Sequence, residues 1–236
     1  MRKIKSVGGT VGSISKGESL MIFKNREHAA ESLAARLIYY KYKGKNPLVL
    51  AIPRGAVPMA KIIADALEGE SDVVLVRKLG YPGQPELAIG AVDESGATFL
   101  ADYAAEVGAD YLEAEKREQL EVIGRRRALY TPARAPLDPH DRIVVIVDDG
   151  IATGATMITA LRAVRAKRPR ELVGAVGVAS QQAARALARE CDRLVCLSVP
   201  AAFVAVGQYF KDFSQVSDED VIETLRRSEA RISALG

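Results

Sequence analysis

The stretch from Val144 to Thr156 decides the fold of this chain, and it reads Val-Val-Ile-Val-Asp-Asp-Gly-Ile-Ala-Thr-Gly-Ala-Thr. Its first four residues are apolar and typical of a strand that is buried on both faces of a sheet. Two carboxylates and a loop of small residues follow, and apolar residues then recur at helical spacing from Met157 to Val164. The stretch therefore predicts a strand that passes through a polar loop into a helix.

The same alternation extends in both directions along the chain. Short apolar runs predict further buried strands, and helical stripes of apolar residues separate most of them. This alternation favours an α/β fold, with a mostly parallel central sheet and helices on both faces. The predicted strands span residues 48–52, 73–76, 143–147, 172–178 and 194–197. Ligands of such sheets bind beyond the carboxyl ends of the strands, so the loops after these strands are the places to expect a site.

Length and composition allow one large domain or one core with appendages. The 236 residues are 48% hydrophobic, which is enough for a sizeable core. Residues 1–20 are rich in Gly, Ser and Lys and lack periodicity, so we interpret them as a flexible arm, residues added for expression, or a segment upstream of a start at Met21. We expect residues 21–236 to form a single domain, with residues 94–140 as an insertion over the core.

Composition also disfavours several classes of function. The 33 basic and 30 acidic residues give a net charge of +3, which offers little reason to expect a nucleic-acid partner. Two cysteines and two distant histidines assemble no zinc-type ligand set. The apolar runs are too short for a membrane helix, and residues 6–17 lack the apolar stretch of a signal peptide. We therefore expect no membrane association and a cytoplasmic location.

The loop between the quoted strand and helix suits an anion. Free backbone N–H groups at a helix start and the positive end of the helix dipole attract phosphate. The hydroxyls of Thr153 and Thr156 add donors, and Gly154 lets the backbone come close to a ligand. Asp148 and Asp149 precede this cradle and are suited to sugar hydroxyls, directly or through a hydrated cation. A sugar phosphate satisfies both halves, although an ordinary strand-turn-helix with capping Asp and Thr remains the alternative.

This stretch resembles the motif by which type I phosphoribosyltransferases bind 5-phosphoribosyl-1-pyrophosphate (PRPP). That motif has four apolar residues, two acidic residues and a loop ending in Thr-Gly-x-Thr. The resemblance implies that Asp148 and Asp149 hold the ribose hydroxyls and bind Mg²⁺, through water. It also implies that the 5′-phosphate lies against the loop formed by Gly150, Ile151, Ala152, Thr153, Gly154, Ala155 and Thr156. The family fold carries a small variable hood, for which residues 94–140, the N-terminal part or the C-terminal stretch are candidates.

Two further segments resemble the same family, and its adenine branch in particular. Pro53, Arg54, Gly55 and Ala56 join a strand to a helix and are similar to the family's pyrophosphate-binding loop. Residues 77–83 are similar to the start of its mobile catalytic loop. There Arg77 and Lys78 would face the leaving group, and Glu86 is a candidate acid or base. Tyr81 stands where that branch has a lysine, so one phosphate contact is either absent or supplied by Lys78.

The resemblance implies a Mg²⁺-dependent transfer of phosphoribose from PRPP to a nitrogenous base, with release of pyrophosphate. Ala152 stands where 6-oxopurine enzymes usually carry an Asp, which argues against hypoxanthine and guanine as acceptors. A PRPP-sensing regulator with little transferase activity is the main alternative. A PRPP-forming diphosphokinase ranks lower because the chain has one motif and no internal repeat. By analogy with the family we expect a homodimer, and we interpret the arginines at 125–127 as a solvated helix end.

Overall fold

A computed structural model describes residues 21–100 and 102–233, so the interpretation of residues 1–20 lies outside the described residues. The strands are β1 (Leu48–Ala51), β2 (Glu70–Val73), β3 (Val76–Tyr81), β4 (Gln84–Asp93), β5 (Thr98–Leu100), β6 (Ile143–Ile151), β7 (Glu171–Ala179) and β8 (Arg193–Ser198). The helices are α1 (Arg26–Tyr39), α2 (Val57–Leu67), α3 (Ala109–Tyr130), α4 (Ala155–Ala166), α5 (Gln181–Leu187) and α6 (Asp218–Ser233). Short 3₁₀ turns cover Asp102–Glu106 and Val206–Tyr209.

The central sheet is parallel throughout and has the strand order β2-β1-β6-β7-β8. β6 lies in the middle, between β1 and β7, and its register aligns Val147 with Ala51 on one side and with Ala175 on the other. Because parallel strands end at the same edge, the loops after β1 and β6 open side by side. The predicted α/β fold with a parallel sheet and helices on both faces is confirmed.

Side-chain alternation along the strands divides the core into two layers. Val145 and Val147 of β6 pack on the side of α1, α2, α3 and α6. Val144 and Ile146 pack on the other side, against α4 and α5. All four of these side chains are fully buried. This two-sided burial explains why the strand is a continuous apolar run in the sequence.

The region after β2 differs from the prediction of one strand at 73–76. β2 ends at Val73, where its partner β1 also ends, and β3 begins at Val76 in a separate sheet. That sheet is antiparallel and has the order β3-β4-β5. Residues 77–83, which resemble the start of a mobile loop, form one strand and the turn of a hairpin, with Gly83 at φ 74° in the turn. The single apolar run concealed this switch because it is buried on both sides of the break.

The beginning of the described chain lies against the segment that precedes α6. Phe23 N donates to Tyr209 O at 2.7 Å, and Lys211 N donates to Phe23 O at 2.9 Å. Asn25 caps α1, since its Oδ1 accepts from His28 N at 3.0 Å. Ser217 and Asp220 form a capping box at the start of α6. No helix in the described ranges 21–100 and 102–233 is long and apolar enough to cross a bilayer.

Candidate functional site

A cleft of about 390 Å³ opens at the carboxyl ends of β1 and β6. One wall is the loop after β1, the floor carries the two carboxylates, and residues of β3 and α3 form the far wall. The residues that line it are Arg26, Ile52, Pro53, Gly55, Leu75, Val76, Arg77, Lys78, Ile123, Arg126, Asp148, Asp149 and Thr156. The three sequence segments singled out for chemistry thus contribute to one cavity, as expected for the carboxyl edge of a parallel sheet.

The loop between β6 and α4 has the form of an anion cradle. Gly154 adopts φ 90°, a left-handed conformation that favours glycine and turns the chain into the helix. Gly154 is the N-cap residue of α4 and has no side chain to cap the helix. No acceptor among the described residues bonds to the first N–H groups of α4. Thr156 lines the cleft from that first turn. Exposed helix-start N–H groups beside a hydroxyl suit a phosphate.

Ser180, the residue that caps α5, holds this loop in place by two hydrogen bonds. Its Oγ donates to Ala152 O at 2.7 Å, and its backbone N donates to Ile151 O at 3.0 Å. Ile151 is buried in the core, whereas Ala152 and Thr153 are exposed. Gly150 has no room for a side chain, since a Cβ atom would lie 2.4 Å from Val206. Gly150 and Ile151, expected in the phosphate-binding loop, are instead the last residues of β6, because they pair with Val178 and Ala179 of β7, and residues 152–154 form the loop itself.

Asp148 and Asp149 form the floor of the cleft and differ in their partners. Asp149 Oδ2 accepts from Arg26 Nε at 2.7 Å. Asp148 Oδ1 accepts from the backbone N of Asp149 at 2.9 Å. Burial and the neighbouring Asp149 carboxylate raise the pKa of Asp148 well above its ordinary value. Burial also raises the pKa of Asp149, and the hydrogen bond from Arg26 acts in the opposite direction.

The loop after β1 passes very close to these carboxylates. A Cβ atom on Gly55 would lie 2.6 Å from Asp149 Oδ2 and 3.0 Å from Arg26 Nε, so only glycine fits. The peptide bond between Pro53 and Arg54 is cis. Ala56 is fully buried at the start of α2, so its side chain faces the core. Close approach of backbone to a charged group is one of the physical uses of glycine.

Arg54 points toward the C-terminal helix. Its Nη1 lies 3.3 Å from Asp218 Oδ2 at the start of α6. The hydroxyl of Tyr130, at the end of α3, donates to the other oxygen of Asp218 at 2.6 Å. Burial and the hydrogen bond to Asp218 raise the pKa of Tyr130. Asp218 therefore joins the loop after β1 to two distant helices.

Arg77 and Lys78 enter the cleft from β3, as part of a hairpin strand. Arg77 Nε donates to Gln119 Oε1 of α3 at 2.9 Å. Tyr81 packs against the core, so its ring does not extend into the cleft as a lysine would. The backbone of Glu86 belongs to β4, but its side chain lies outside the described residues.

Sequence reasoning missed two cations of this site. Arg26 precedes the predicted helical stripe of α1, and its role becomes visible only when α1 packs beside β6. Arg126 was interpreted as part of a solvated helix end, whereas in the structure it lines the cleft.

The aromatic residues of the 203–213 segment mostly fill the core. Tyr209 and Phe210 are buried. Phe213 is partly exposed, and the guanidinium carbon of Arg26 lies 3.9 Å from the centre of its ring.

The fold and the cleft together define an α/β protein whose candidate site lies at the switch point of a parallel sheet. The model of the phosphoribosyl transferase domain family matches residues 18–213. The chain belongs to this family.

Similar proteins support the same assignment. Two Mycobacterium tuberculosis proteins, each named "Putative phosphoribosyl transferase", are 39% identical over 220 residues, which is 92% of this chain and 49% of theirs. The chain thus spans about half the length of these curated relatives. The crystal structure of TT1426 from Thermus thermophilus has 45% identity and a TM-score of 0.79, covering 88% of this chain and 99% of that one. The fold of the described chain is therefore shared with a solved structure.

Proposed function

We propose that this chain transfers the phosphoribosyl group of PRPP to a nitrogenous base and releases pyrophosphate. The observation that carries the proposal is the convergence of a phosphate cradle, two carboxylates and a basic wall in one cleft. Each of these matches one part of PRPP. The first turn of α4 holds the 5′-phosphate, Asp148 and Asp149 hold the ribose hydroxyls, and the loop of residues 53–56 receives the pyrophosphate by its backbone.

The donor set fits Mg²⁺ in a particular way. Within residues 21–100 and 102–233, no three His, Cys, Asp or Glu side chains gather around one point, so the protein alone offers no cage. Asp148 is partly buried beside a second carboxylate, and no cationic side chain of the described residues is bonded to it, unlike Asp149. Asp148 and Asp149 would hold the ion through water, with the remaining ligands from PRPP. Bound there, Mg²⁺ supplies positive charge for the ribose hydroxyls and the leaving group.

The chain's own residues position the reaction. The bond from C1 of the ribose to the pyrophosphate oxygen breaks, the bond from C1 to a ring nitrogen of the acceptor forms, and the acceptor's proton leaves to solvent or to Glu86. Arg77 and Lys78 neutralise the charge that develops on the pyrophosphate. Since positive charge builds on the sugar and negative charge on the leaving group, no protein nucleophile is needed.

Residues 94–140 serve as the hood in this proposal, within a single domain of residues 21–236. Support comes from α3, which brings Ile123 and Arg126 to the cleft. The acceptor would lie under this segment, where the apolar Ile123 and Leu75 offer surface to a flat ring. By analogy with the family we propose that the chain forms a homodimer, and sedimentation equilibrium would test this.

A PRPP sensor is the second candidate, and one observation favours it. The partly buried ring of Tyr81 packs against the core at the position where the transferases of the adenine branch have a lysine, so a leaving-group contact differs. A sensor would bind PRPP and release no pyrophosphate. The two candidates therefore share the binding step and separate at turnover.

The test is calorimetric titration of PRPP with Mg²⁺ into the wild type, an Asp148→Asn/Asp149→Asn variant and an Asp138→Asn control. Asp138 lies in an exposed loop before β6, at the other edge of the sheet. We expect binding to the wild type and the control, and loss of binding in the double variant. Pyrophosphate release with a panel of nucleobases then separates a transferase from a sensor. Absence of PRPP binding by the wild type would exclude both.

A further inference from the structure

Three consecutive arginines near the end of α3 have three different environments. Arg125 is exposed and pairs with Glu121 one helical turn earlier, at 3.8 Å. Arg127 is mostly buried and pairs with Glu94 at 2.8 Å. Arg126 lines the cleft, and no carboxylate of the described chain forms an ion pair with it. Two of the three charges are thus compensated within the protein, and the third faces the cavity.

Arg126 stands beside a second cation in the cleft. Arg77 lines the same wall, and burial, with repulsion from Arg126 as the next contribution, lowers the pKa of Arg77. Gln119, seven residues before Arg126 and so on the same helical face, accepts a hydrogen bond from Arg77 Nε. The protein therefore holds two guanidinium groups near each other, with the neutral Gln119 bonded to Arg77 and the Glu115 carboxylate acting against the lowering of its pKa. Glu115 offsets part of the repulsion on the side of Arg77, and an anion bound in the cleft would offset it for both guanidinium groups.

We propose that Arg126 is a further binding residue for the pyrophosphate group of PRPP, acting with Arg77 from the α3 wall of the cleft. This inference rests on the proposed function. Guanidinium groups match phosphate oxygens in a bidentate way and stay charged when partly buried. Arg126 also provides a cation to a cleft in which Tyr81 packs into the core and supplies none. The leaving group would be held by a residue from the hood, outside the three sequence segments first singled out.

The experiment compares Arg126→Ala with Arg125→Ala, its neighbour on the same helix whose charge is directed to solvent. Inorganic pyrophosphate with Mg²⁺, PRPP with Mg²⁺, and ribose 5-phosphate are each titrated into the wild type and both variants by calorimetry. Thermal unfolding confirms that the variants are folded. We expect Arg126→Ala to weaken pyrophosphate and PRPP binding about tenfold or more, the loss typical of one charge-assisted contact. Its affinity for ribose 5-phosphate should stay at the wild-type value, and Arg125→Ala should match the wild type for all three ligands.

The outcomes separate this inference from the proposed function. If the wild type binds PRPP and Arg126→Ala binds it equally well, the role of Arg126 is overturned and the proposed function stands. If the wild type binds pyrophosphate in an Arg126-dependent way but does not bind PRPP, the anion site stands and the proposed function fails. Binding of neither ligand overturns both. An equal loss for ribose 5-phosphate would show a structural effect of Arg126 and would also overturn the inference.

Discussion

Arg26 and Asp149 are joined by a 2.7 Å contact from Nε to Oδ2, although 123 residues separate them in the sequence. The guanidinium of Arg26 also donates to Ser214 O at 2.5 Å and lies over the ring of Phe213. Both members of the ion pair have little exposed side chain, 15% and 13%. The protein therefore compensates the charge of Asp149, whereas no side chain of the described residues forms an ion pair with Asp148.

Replacement of Arg26 should destabilise the fold through this ion pair. Arg26→Ala leaves a buried carboxylate without its donor, so we expect the free energy of unfolding to fall by about 1–3 kcal/mol. Urea unfolding monitored by circular dichroism measures the change. Arg36→Ala, an exposed position on the same helix, is the control and should change it by less than about 0.5 kcal/mol. Equal losses in the two variants would mean that the ion pair contributes nothing specific.

The raised pKa of Asp148 predicts a pH-dependent gain in stability on its replacement. Since its folded pKa lies above the unfolded value near 3.8, the ionised carboxylate is disfavoured in the fold, and stability is lost as pH rises through the folded value. Asp148→Asn removes this loss and keeps an acceptor for Asp149 N. We expect a higher Tm than wild type at pH 7.5 without added divalent ions, and no difference at pH 3.5.

Calorimetric scans at these two pH values measure the effect. A gain of about 1 kcal/mol corresponds to roughly 2–4 °C in a chain of this length. The same variant should lose PRPP affinity, so stability and binding move in opposite directions. A Tm at pH 7.5 equal to or below that of the wild type would contradict the burial of an uncompensated charge at this position.

Gly55 should tolerate no side chain, because a Cβ atom would lie 2.6 Å from Asp149 Oδ2. Gly55→Ala must displace either the carboxylate or the loop after β1. We therefore expect PRPP affinity to fall about tenfold or more, with a lower Tm. Gly124→Ala is the control, since it lies in the interior of α3 with no atom within 4 Å of the added Cβ. It should raise stability by about 0.5–1 kcal/mol through helix propensity. Unchanged binding in Gly55→Ala would show that the loop can move away from Asp149 at little cost.

Asp218 is the first residue of α6, and we expect that it also positions Arg54 through their ion pair. Asp218→Asn removes the charge that holds Arg54 and weakens the acceptor for Tyr130. Asp220→Asn is the matched control, because Asp220 caps the same helix through Ser217 without contact to Arg54. If the role is positional, both variants lower the Tm, and only Asp218→Asn weakens pyrophosphate binding. If both variants affect binding equally, the helix start matters and the Arg54 contact does not.

The sequence predicted the central sheet because its strands are buried on both faces and so appear as continuous apolar runs. It predicted the cradle because glycine and threonine at a strand-to-helix junction have a local physical meaning. The break between Val73 and Val76 escaped prediction, since burial continues across it in a different sheet. A local sequence pattern predicts that a strand forms, but it gives little information about which sheet the strand joins.

The cations of the site were harder to predict for a similar reason. Arg125, Arg126 and Arg127 are chemically identical in the sequence, and their three environments depend on the angle of α3 over the hairpin. Arg26 likewise acquires its partner only through tertiary packing. An arginine on a helix has no short motif, so composition and spacing could not separate a cleft residue from a solvated one.

Arg26, near the beginning of the described chain, bonds to Asp149 of the cleft, and Asp218, near its end, bonds to Arg54. Close to Arg26, the backbone of Phe23 pairs with residues 209–211. Ligand binding in the cleft is consequently coupled to the packing of these early and late segments of the chain onto the central sheet. A ligand that binds only the closed form adds its binding free energy to the folding equilibrium of the entire chain. Protection of residues 23–26 and 209–218 from proteolysis should therefore rise together with ligand concentration, and a nick within either segment should release the ligand.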